Sequence, residues 1–408
     1  MLGSDRFVVG RDTRESGSAL AAALHAGIGA AGATAVDLGV VPTPAVAGWC
    51  RTEQVPGAVV SASHNPWTDN GVKFFARGGR KLSGELEARI QVRFGELLAA
   101  GPPPPAERVV HRHDEAVRRH VDDVATSIAP RDLEGLRVVV DCANGAATTV
   151  APLVFARLGC DTHVINDRPD GRNINAGCGA TAPAALGAAV VEHGADLGVA
   201  FDGDADRVVA VDHAGAVVDG DPIIGICAVD RKRRGILRDD TVVVTVMANL
   251  GFRRGMDAAG ITVEETPVGD RHVLEVLDAQ GLTLGGEQSG HVIFRDLATT
   301  GDGILSAVQL LDVVVRTGTP LADLAAATMT RLPQVLCNVA TATRPPDLHD
   351  RLAPLIARAE AVLGDRGRIL VRPSGTEPLV RVMVEAETDD EARATAEGLA
   401  AEVASLLG

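Results

Sequence analysis

Leu197-Gly198-Val199-Ala200-Phe201-Asp202-Gly203-Asp204-Ala205-Asp206-Arg207 sets five apolar residues directly before carboxylates at i, i+2 and i+4. A short, continuous apolar run predicts a strand covered on both faces, as in the parallel layers of α/β proteins. The three carboxylates repel one another unless a cation neutralises them, and ending a buried strand on such charge is costly without one. An EF-hand would need Gly at the sixth position and Glu at the twelfth. Arg207 and His213 stand there, which excludes that calcium loop. Three monodentate oxygens and a phosphate oxygen suit Mg²⁺, with Arg207 balancing the phosphate charge.

Working outward, Val138-Val139-Val140 and Thr241-Val242-Val243-Val244-Thr245-Val246 repeat the apolar pattern, with Ala-rich helical stretches between. Alternating strands and helices predict β-α units and parallel sheets, an α/β fold. At 408 residues with 46% hydrophobic content the chain is long enough for several domains. The expected boundaries are 1–130, 131–216, 217–318 and 319–408. Gly101-Pro102-Pro103-Pro104-Pro105 can continue neither a helix nor a central strand and is read as a loop. Gly27-Ile28-Gly29-Ala30-Ala31-Gly32 matches a dinucleotide fingerprint only by letters, because a helical stretch precedes it and a strand follows.

A net charge of -15 argues against nucleic-acid or anionic-membrane partners. Six cysteines, at 50, 142, 160, 178, 227 and 337, form no C-x-x-C pair, so reduced thiols in a cytoplasmic protein are expected. No apolar stretch approaches the roughly 20 residues that span a bilayer. The chain has no Tyr and two Trp, so aromatic stacking is not expected to dominate recognition.

Three further loops carry candidate chemistry. Val59-Val60-Ser61-Ala62-Ser63-His64-Asn65-Pro66 reads as a strand running into a turn that displays Ser63. No G-x-S-x-G elbow surrounds it, which disfavours acyl transfer. Lys73, ten residues on, can return to the same mouth as a proton carrier or phosphate ligand. Gly286-Glu287-Gln288-Ser289-Gly290-His291 sets a carboxylate and a hydroxyl on one side of an extended backbone, where they can bind neighbouring sugar hydroxyls. His291 titrates near neutrality and can act as acid or base. Arg372-Pro373-Ser374-Gly375-Thr376 combines a guanidinium, two hydroxyls and a Gly-permitted turn, the makings of an anion nest, with Arg381 on the following strand. Each loop alone also reads as an ordinary polar turn; together they describe phosphoryl transfer to and from a sugar.

The four loops, in this order, resemble the α-D-phosphohexomutase superfamily over almost the whole length from Val8 onward. The resemblance implies four domains. Three are related α/β units, and the fourth is a smaller C-terminal α+β domain of the TATA-box-binding-protein-like type. It implies that Ser63 carries the phosphoryl group and, as phosphoserine, joins Asp202, Asp204 and Asp206 in holding Mg²⁺. Lys73 and His291 match proton-transfer residues. His64 and Arg11 complete the catalytic set, with Arg11 helping to order the serine loop. Arg207, Glu287 and Ser289 would contact the substrate, and Arg372, Ser374, Gly375, Thr376 and Arg381 would grip its non-reacting phosphate. Gln288 is similar to the branch acting on glucosamine phosphates, as are the segments Asp170–Gly179, Val268–Arg271 and Thr300–Leu305. That branch implies interconversion of glucosamine 6-phosphate and glucosamine 1-phosphate through a glucosamine or glucose 1,6-bisphosphate, feeding UDP-N-acetylglucosamine synthesis. The partner expected is thus a small hexosamine phosphate, and the chain a monomer or homodimer. Two alternatives stay open: the same chemistry on mannose or glucose phosphates, and a relative that binds without turnover. Family members open with a strand and helix bearing a Gly-Thr-x-Gly-x-Arg-Gly-like segment, and this sequence starts at the family's second strand; a misassigned start site is the expectation.

Overall fold

The computed structural model describes residues 3–101, 104–106, 108–341, 348–373 and 378–407. The chain divides into two compact units: Met1–Met247 with Ala259–Thr328, and Ala248–Ala258 with Met329–Gly408.

The first unit contains three sheets. In the first, the order is Val72–Phe75, Gly57–Val60, Arg6–Arg11, Thr34–Val40, Val109–His111. All its neighbours are parallel except Val72–Phe75, which runs antiparallel to Gly57–Val60. The second runs Val217–Val218, Val208–Asp212, Leu197–Phe201, Arg137–Asp141, Asp161–Ile165. Its last three strands are parallel and its first two antiparallel to their neighbours. The third runs Thr262–Thr266, Thr241–Thr245, Leu284–Gly286, Val292–Phe294, again parallel up to a final antiparallel strand.

One device therefore recurs. A parallel strand ends, the chain turns, and the next strand returns antiparallel beside it. The turns span 61–71, 202–207 and 287–291. Each contains a residue with positive φ: Ser63 (53°), Ala205 (56°) and Gly290 (89°).

Helices cover both faces of the first sheet, which explains its unbroken apolar strands. Val8 packs with Leu38, Val46 and Phe75, whereas its neighbour Val9 packs with Ala21 and Val60 on the opposite face. In the second sheet Val139, Ala200 and Val211 pack on Leu186 and Val190 of helix Ala184–His193. In the third, Val243 and Ile293 pack on Val273 and Leu277 of helix Asp270–Gln280. Each large apolar side chain fully buried this way contributes about 1.5–3 kcal/mol relative to exposure.

The second unit is an antiparallel sheet, Gln334–Ala340, Leu379–Glu385, Arg368–Pro373, packed on helices Leu348–Leu363 and Asp389–Leu407. Val380, Val382 and Val384 alternate inward onto Leu352, Leu399 and Val403. Residues 248–258 also belong here. The buried Glu385 carboxylate accepts from the Leu250 N–H at 2.8 Å, and Asn249 exchanges two bonds with the Leu332 backbone, each 3.0 Å.

Three features differ from the sequence reading. Val217–Val218 pairs with Val208–Asp212, so the second sheet reaches past 216. Helix Leu321–Thr328 packs on helix Gly220–Arg233, placing the division at Thr328 rather than 319. The excursion 248–258 is held by partners over 80 residues away, which a local pattern cannot reveal. The fingerprint-like Gly27–Gly32 segment ends helix Gly17–Ala30 and leads into strand Thr34–Val40. Pro102 and Pro103 of the proline run lie outside the described residues. Among the described residues no single helix is long and apolar enough to cross a membrane.

Candidate active site

The three turns of the first unit converge. Ser63 is buried and its Oγ donates to Asp202 Oδ2 at 2.6 Å. The Thr43 N–H donates to the Asp204 carbonyl at 2.9 Å, joining the first and second sheets again. Val208 N–H donates to Gly290 O at 3.0 Å, and Gly220 N–H to Gln288 O at 3.1 Å, joining the second and third. Two glycines make this approach feasible. A Cβ on Gly203 would stand 2.6 Å from Ser63 O, and one on Gly290 would stand 2.1 Å from Val208 O.

Asp202, Asp204 and Asp206 are at most 6% exposed and present ligand oxygens within 4.8 Å of one another. Lys73 Nζ lies 2.6 Å from Asp204 Oδ2 and 3.1 Å from Asp206 Oδ2. Among the described residues, Asp204 Oδ1 and Asp206 Oδ1 are buried without a hydrogen-bond partner. Hard, clustered, partly unsatisfied carboxylate oxygens fit a small divalent cation, and Mg²⁺ prefers such donors beside a phosphate.

Burial pushes the Asp202 carboxyl well above the usual aspartate range, and the charges of Asp206 and Asp204 add to that. Burial alone would do the same to Asp206, but Lys73, His291 and Arg207 outweigh it and hold that group far below. Lys73 is likewise held charged: burial opposes its ammonium, and Asp204 and Asp206 more than offset the penalty. The trio thus carries one reluctant and one firmly ionised carboxylate.

His64 Nδ1 lies 3.3 Å from Ser63 Oγ, and burial with the Arg207 charge lowers its pKa. His291 was expected as an acid or base in proton transfer. It is 2% exposed, with Nδ1 3.7 Å from Asp206 and Nε2 3.5 Å from Asp270. Burial opposes its charge, but the two carboxylates outweigh that and raise its pKa. The Gly301 N–H pointing at Nε2 from 3.2 Å opposes a second proton there. The ring therefore stands between Asp206 and Asp270, within ion-pair distance of both. Asp270 also pairs with Lys81, next to a cleft of about 540 Å³ lined by Lys73, Lys81, Gly269, Asp270 and Arg271.

Glu287 Oε1 accepts from the Gly269 N–H at 3.1 Å, and Ser289 is exposed. Arg207 is close to Asp206, Nε to Oδ1 3.9 Å. In the second unit, Arg372 and Arg381 sit opposite each other on paired strands. Partial burial lowers the Arg372 pKa and the Arg381 charge lowers it further, a pairing that favours an anion. Ser374, Gly375 and Thr376 lie outside the described residues.

Arg11 was expected to order the serine loop. Its side chain runs past Gly17 instead, and Arg14 grips the loop. Arg14 Nη2 donates to Ser63 O and Asn65 O, both at 2.8 Å; Nη1 donates to Asp69 O at 3.1 Å and to Pro66 O. Asn175 Nδ2 reaches Ser63 O at 2.9 Å and Asn65 O at 3.2 Å. Arg14, Asn175, Thr43, Asp12, Ser61 and Asp270 carry no signal in isolation; only their contacts mark them.

The chain belongs to the phosphoglucomutase/phosphomannomutase family, the α-D-phosphohexomutases. Family models match successively: α/β/α domain I over residues 2–99, domain II over 118–215, domain III over 219–332 and the C-terminal domain over 322–402. Among curated relatives, the phosphoglucosamine mutase of Frankia alni is 54% identical over 404 residues, 98% of this chain and 88% of that protein. The phosphoglucosamine mutase of Thermobifida fusca is 52% identical over 397 residues, covering 97% and 88%. A phosphoglucomutase/phosphomannomutase family structure from Burkholderia thailandensis superimposes with TM-score 0.82 at 26% identity, covering 99% of this chain and 90% of that one. The fold is also that of Aspergillus fumigatus N-acetylphosphoglucosamine mutase, solved with GlcNAc-6P and magnesium (TM-score 0.68, 21% identity, covering 90% and 93%).

Proposed function

We propose that this chain is a phosphoglucosamine mutase, interconverting glucosamine 6-phosphate and glucosamine 1-phosphate through phospho-Ser63 and a 1,6-bisphosphate. The observation that carries the reading is the Ser63 hydroxyl, 2.6 Å from Asp202 within a buried carboxylate trio, in a chain 54% identical to a phosphoglucosamine mutase.

Asp202, Asp204 and Asp206 would hold Mg²⁺, which when bound neutralises charge on the transferring phosphoryl group. A sugar hydroxyl attacks phospho-Ser63; the new oxygen–phosphorus bond forms as the Oγ–phosphorus bond breaks, and the proton lost by the sugar hydroxyl is balanced by the one Ser63 Oγ gains. Lys73, held protonated, meets the charge developing on the departing Oγ. The bisphosphate then turns over and returns its other phosphoryl group to Ser63. Arg372, Ser374, Gly375, Thr376 and Arg381 grip the phosphate that does not react, while Glu287 and Ser289 contact sugar hydroxyls. Arg207 adds charge at the reacting phosphate, and His64 flanks Ser63. His291 holds Asp206 in place. Catalysis is then mainly positioning and charge neutralisation. A glucose or glucosamine 1,6-bisphosphate would prime the serine.

A coupled assay with Mg²⁺ and catalytic glucose 1,6-bisphosphate tests the reading on glucosamine, mannose and glucose phosphates. Preferred turnover of the amino sugar, lost in Ser63→Ala, is expected. Preference for mannose or glucose phosphates would move the chain to the neighbouring branch.

A further inference from the structure

We infer that Arg14 is the positioning residue that sets the reactive conformation of Ser63, with Asn175 as its counterpart from the loop that follows strand Asp161–Ile165. This rests on the reading of Ser63 as the phosphoryl carrier.

Arg14 is 2% exposed, so it meets no substrate. A guanidinium has five N–H donors in a fixed fork. All five are used: Nε donates to Asp12 Oδ2 at 2.9 Å, and the four others go to the carbonyls of Ser63, Asn65, Pro66 and Asp69. The serine turn has few backbone-to-backbone bonds of its own: Ser61 N–H to Gly71 O, Asn65 N–H to Ala62 O and Asp69 N–H to Pro66 O. It must nevertheless keep Ser63 at φ 53°, a conformation that non-glycine residues seldom adopt.

The grip closes on both sides of the reactive residue. Asp12, buried, balances the Arg14 charge and accepts from Ser61 Oγ at 2.7 Å. Ser61 Oγ in turn accepts from the Ser63 N–H at 2.9 Å. The Ser63 carbonyl receives both Arg14 and Asn175. One network of Arg14, Asp12 and Ser61 thus holds Ser63 at its N–H and its C=O, leaving Oγ directed at Asp202. A shift of about 1 Å in a reacting group can cost 10²-fold in rate.

The test compares wild type with Arg14→Lys, which keeps the charge beside Asp12 but offers at most three donors, and with Asn175→Ala at the less buried end. Three readouts are taken: amide hydrogen exchange of peptides covering 61–71, phosphorylation of Ser63 by glucose 1,6-bisphosphate followed by intact mass, and kcat with KM. For Arg14→Lys the expected result is faster exchange confined to 61–71, Ser63 phosphorylation and kcat lowered about 10²-fold, and KM within threefold. Asn175→Ala should show the same pattern at about a tenth of the size. Unchanged exchange of 61–71 in both variants would overturn the inference, as would faster exchange with wild-type phosphorylation and kcat. Should Arg14→Lys not fold, Asn175→Ala decides alone by the same criteria. A wild type whose Ser63 takes no phosphoryl group would instead break the carrier reading, with the exchange arm still testing the grip.

Discussion

The serine turn 61–71 and the aspartate turn 202–207 occupy the same place in their sheets, between the last parallel strand and its antiparallel return, yet different groups hold them: backbone N–H groups on the aspartate turn, side chains on the serine turn. The aspartate turn is compact and buried, with Asp202, Asp204 and Asp206 all at most 6% exposed. It has two bonds of its own, Ala205 N–H to Asp202 O at 3.0 Å and Arg207 N–H to Asp202 Oδ1 at 3.2 Å, and its Gly203, Asp204 and Ala205 carbonyls accept from the N–H groups of Ala146, Thr43 and Gly303. The serine turn is longer, and His64, Asn65, Pro66, Thr68 and Asp69 are exposed. Its shape comes from outside, through Arg14 and Asn175. One turn stores unfavourable charge in a rigid frame; the other lends a hydroxyl to that frame.

Breaking the charged turn should give the largest effect. Asp204→Asn is expected to lower kcat by about 10²–10³-fold, the loss typical of removing one preorganised electrostatic group. In EDTA its melting temperature should stay close to wild type, because relief of the repulsion with Asp206 offsets the lost ion pair with Lys73. A melting curve well below wild type would show that the trio stabilises the fold rather than serving a cation.

Breaking the external grip should cost stability instead. Arg14→Ala removes five donors and leaves Asp12 buried without its cation. Such a change costs about 3–5 kcal/mol, readable by urea denaturation. A loss below about 1 kcal/mol would mean that the turn holds itself.

Gly203→Ala probes the contact between the two turns. The new Cβ would meet Ser63 O at 2.6 Å and Ile174 Cδ1 at 2.8 Å. Overpacking of this kind costs about 1–3 kcal/mol, and the displaced serine carbonyl should lower kcat in step. Wild-type kinetics in this variant would separate the two turns functionally.

The smallest effect concerns pH, at the helix that starts against the aspartate turn, where the Gly303 N–H donates to Ala205 O at 3.0 Å. Burial raises the pKa of Asp302, the N-cap of helix Gly303–Thr317, while the His120 charge opposes the shift. The folded state then holds this proton more tightly than the unfolded chain does. The contribution is present below the ordinary value of 3.8 and is lost as pH rises through the folded value. Asp302→Asn keeps a capping side chain and should flatten the fall in melting temperature above pH 4 by a degree or two. An unchanged pH profile would assign that fall to other groups.

The aspartate turn was legible in the sequence because its signal is local: apolar residues running straight into three alternating carboxylates. The α/β layers were legible for the same reason, since strands covered on both faces are apolar without a break. Ser63 and Lys73 could be picked out, and the register of Val59 against Lys73 explains how both reach one mouth. The grip on Ser63 was not legible. Arg14 lies 49 residues before its carbonyl partner and Asn175 lies 112 after it, so neither leaves a periodic trace. Arg11, three residues from Arg14, was expected from its place in a family segment; its side chain passes Gly17. His291 looked like a free titrating group, but Asp206, Asp270 and Gly301 enclose it from three sides. The share of residues 248–258 in the second unit depends on Asn249 and Glu385, 136 positions apart.

The most direct measurement follows phosphorus by NMR on the purified chain with Mg²⁺, catalytic glucose 1,6-bisphosphate and glucosamine 6-phosphate. The account predicts a glucosamine 1-phosphate resonance growing to equilibrium, with no free phosphate and with no conversion in Ser63→Ala. Conversion that persists in Ser63→Ala, or release of inorganic phosphate in place of the isomer, would contradict it.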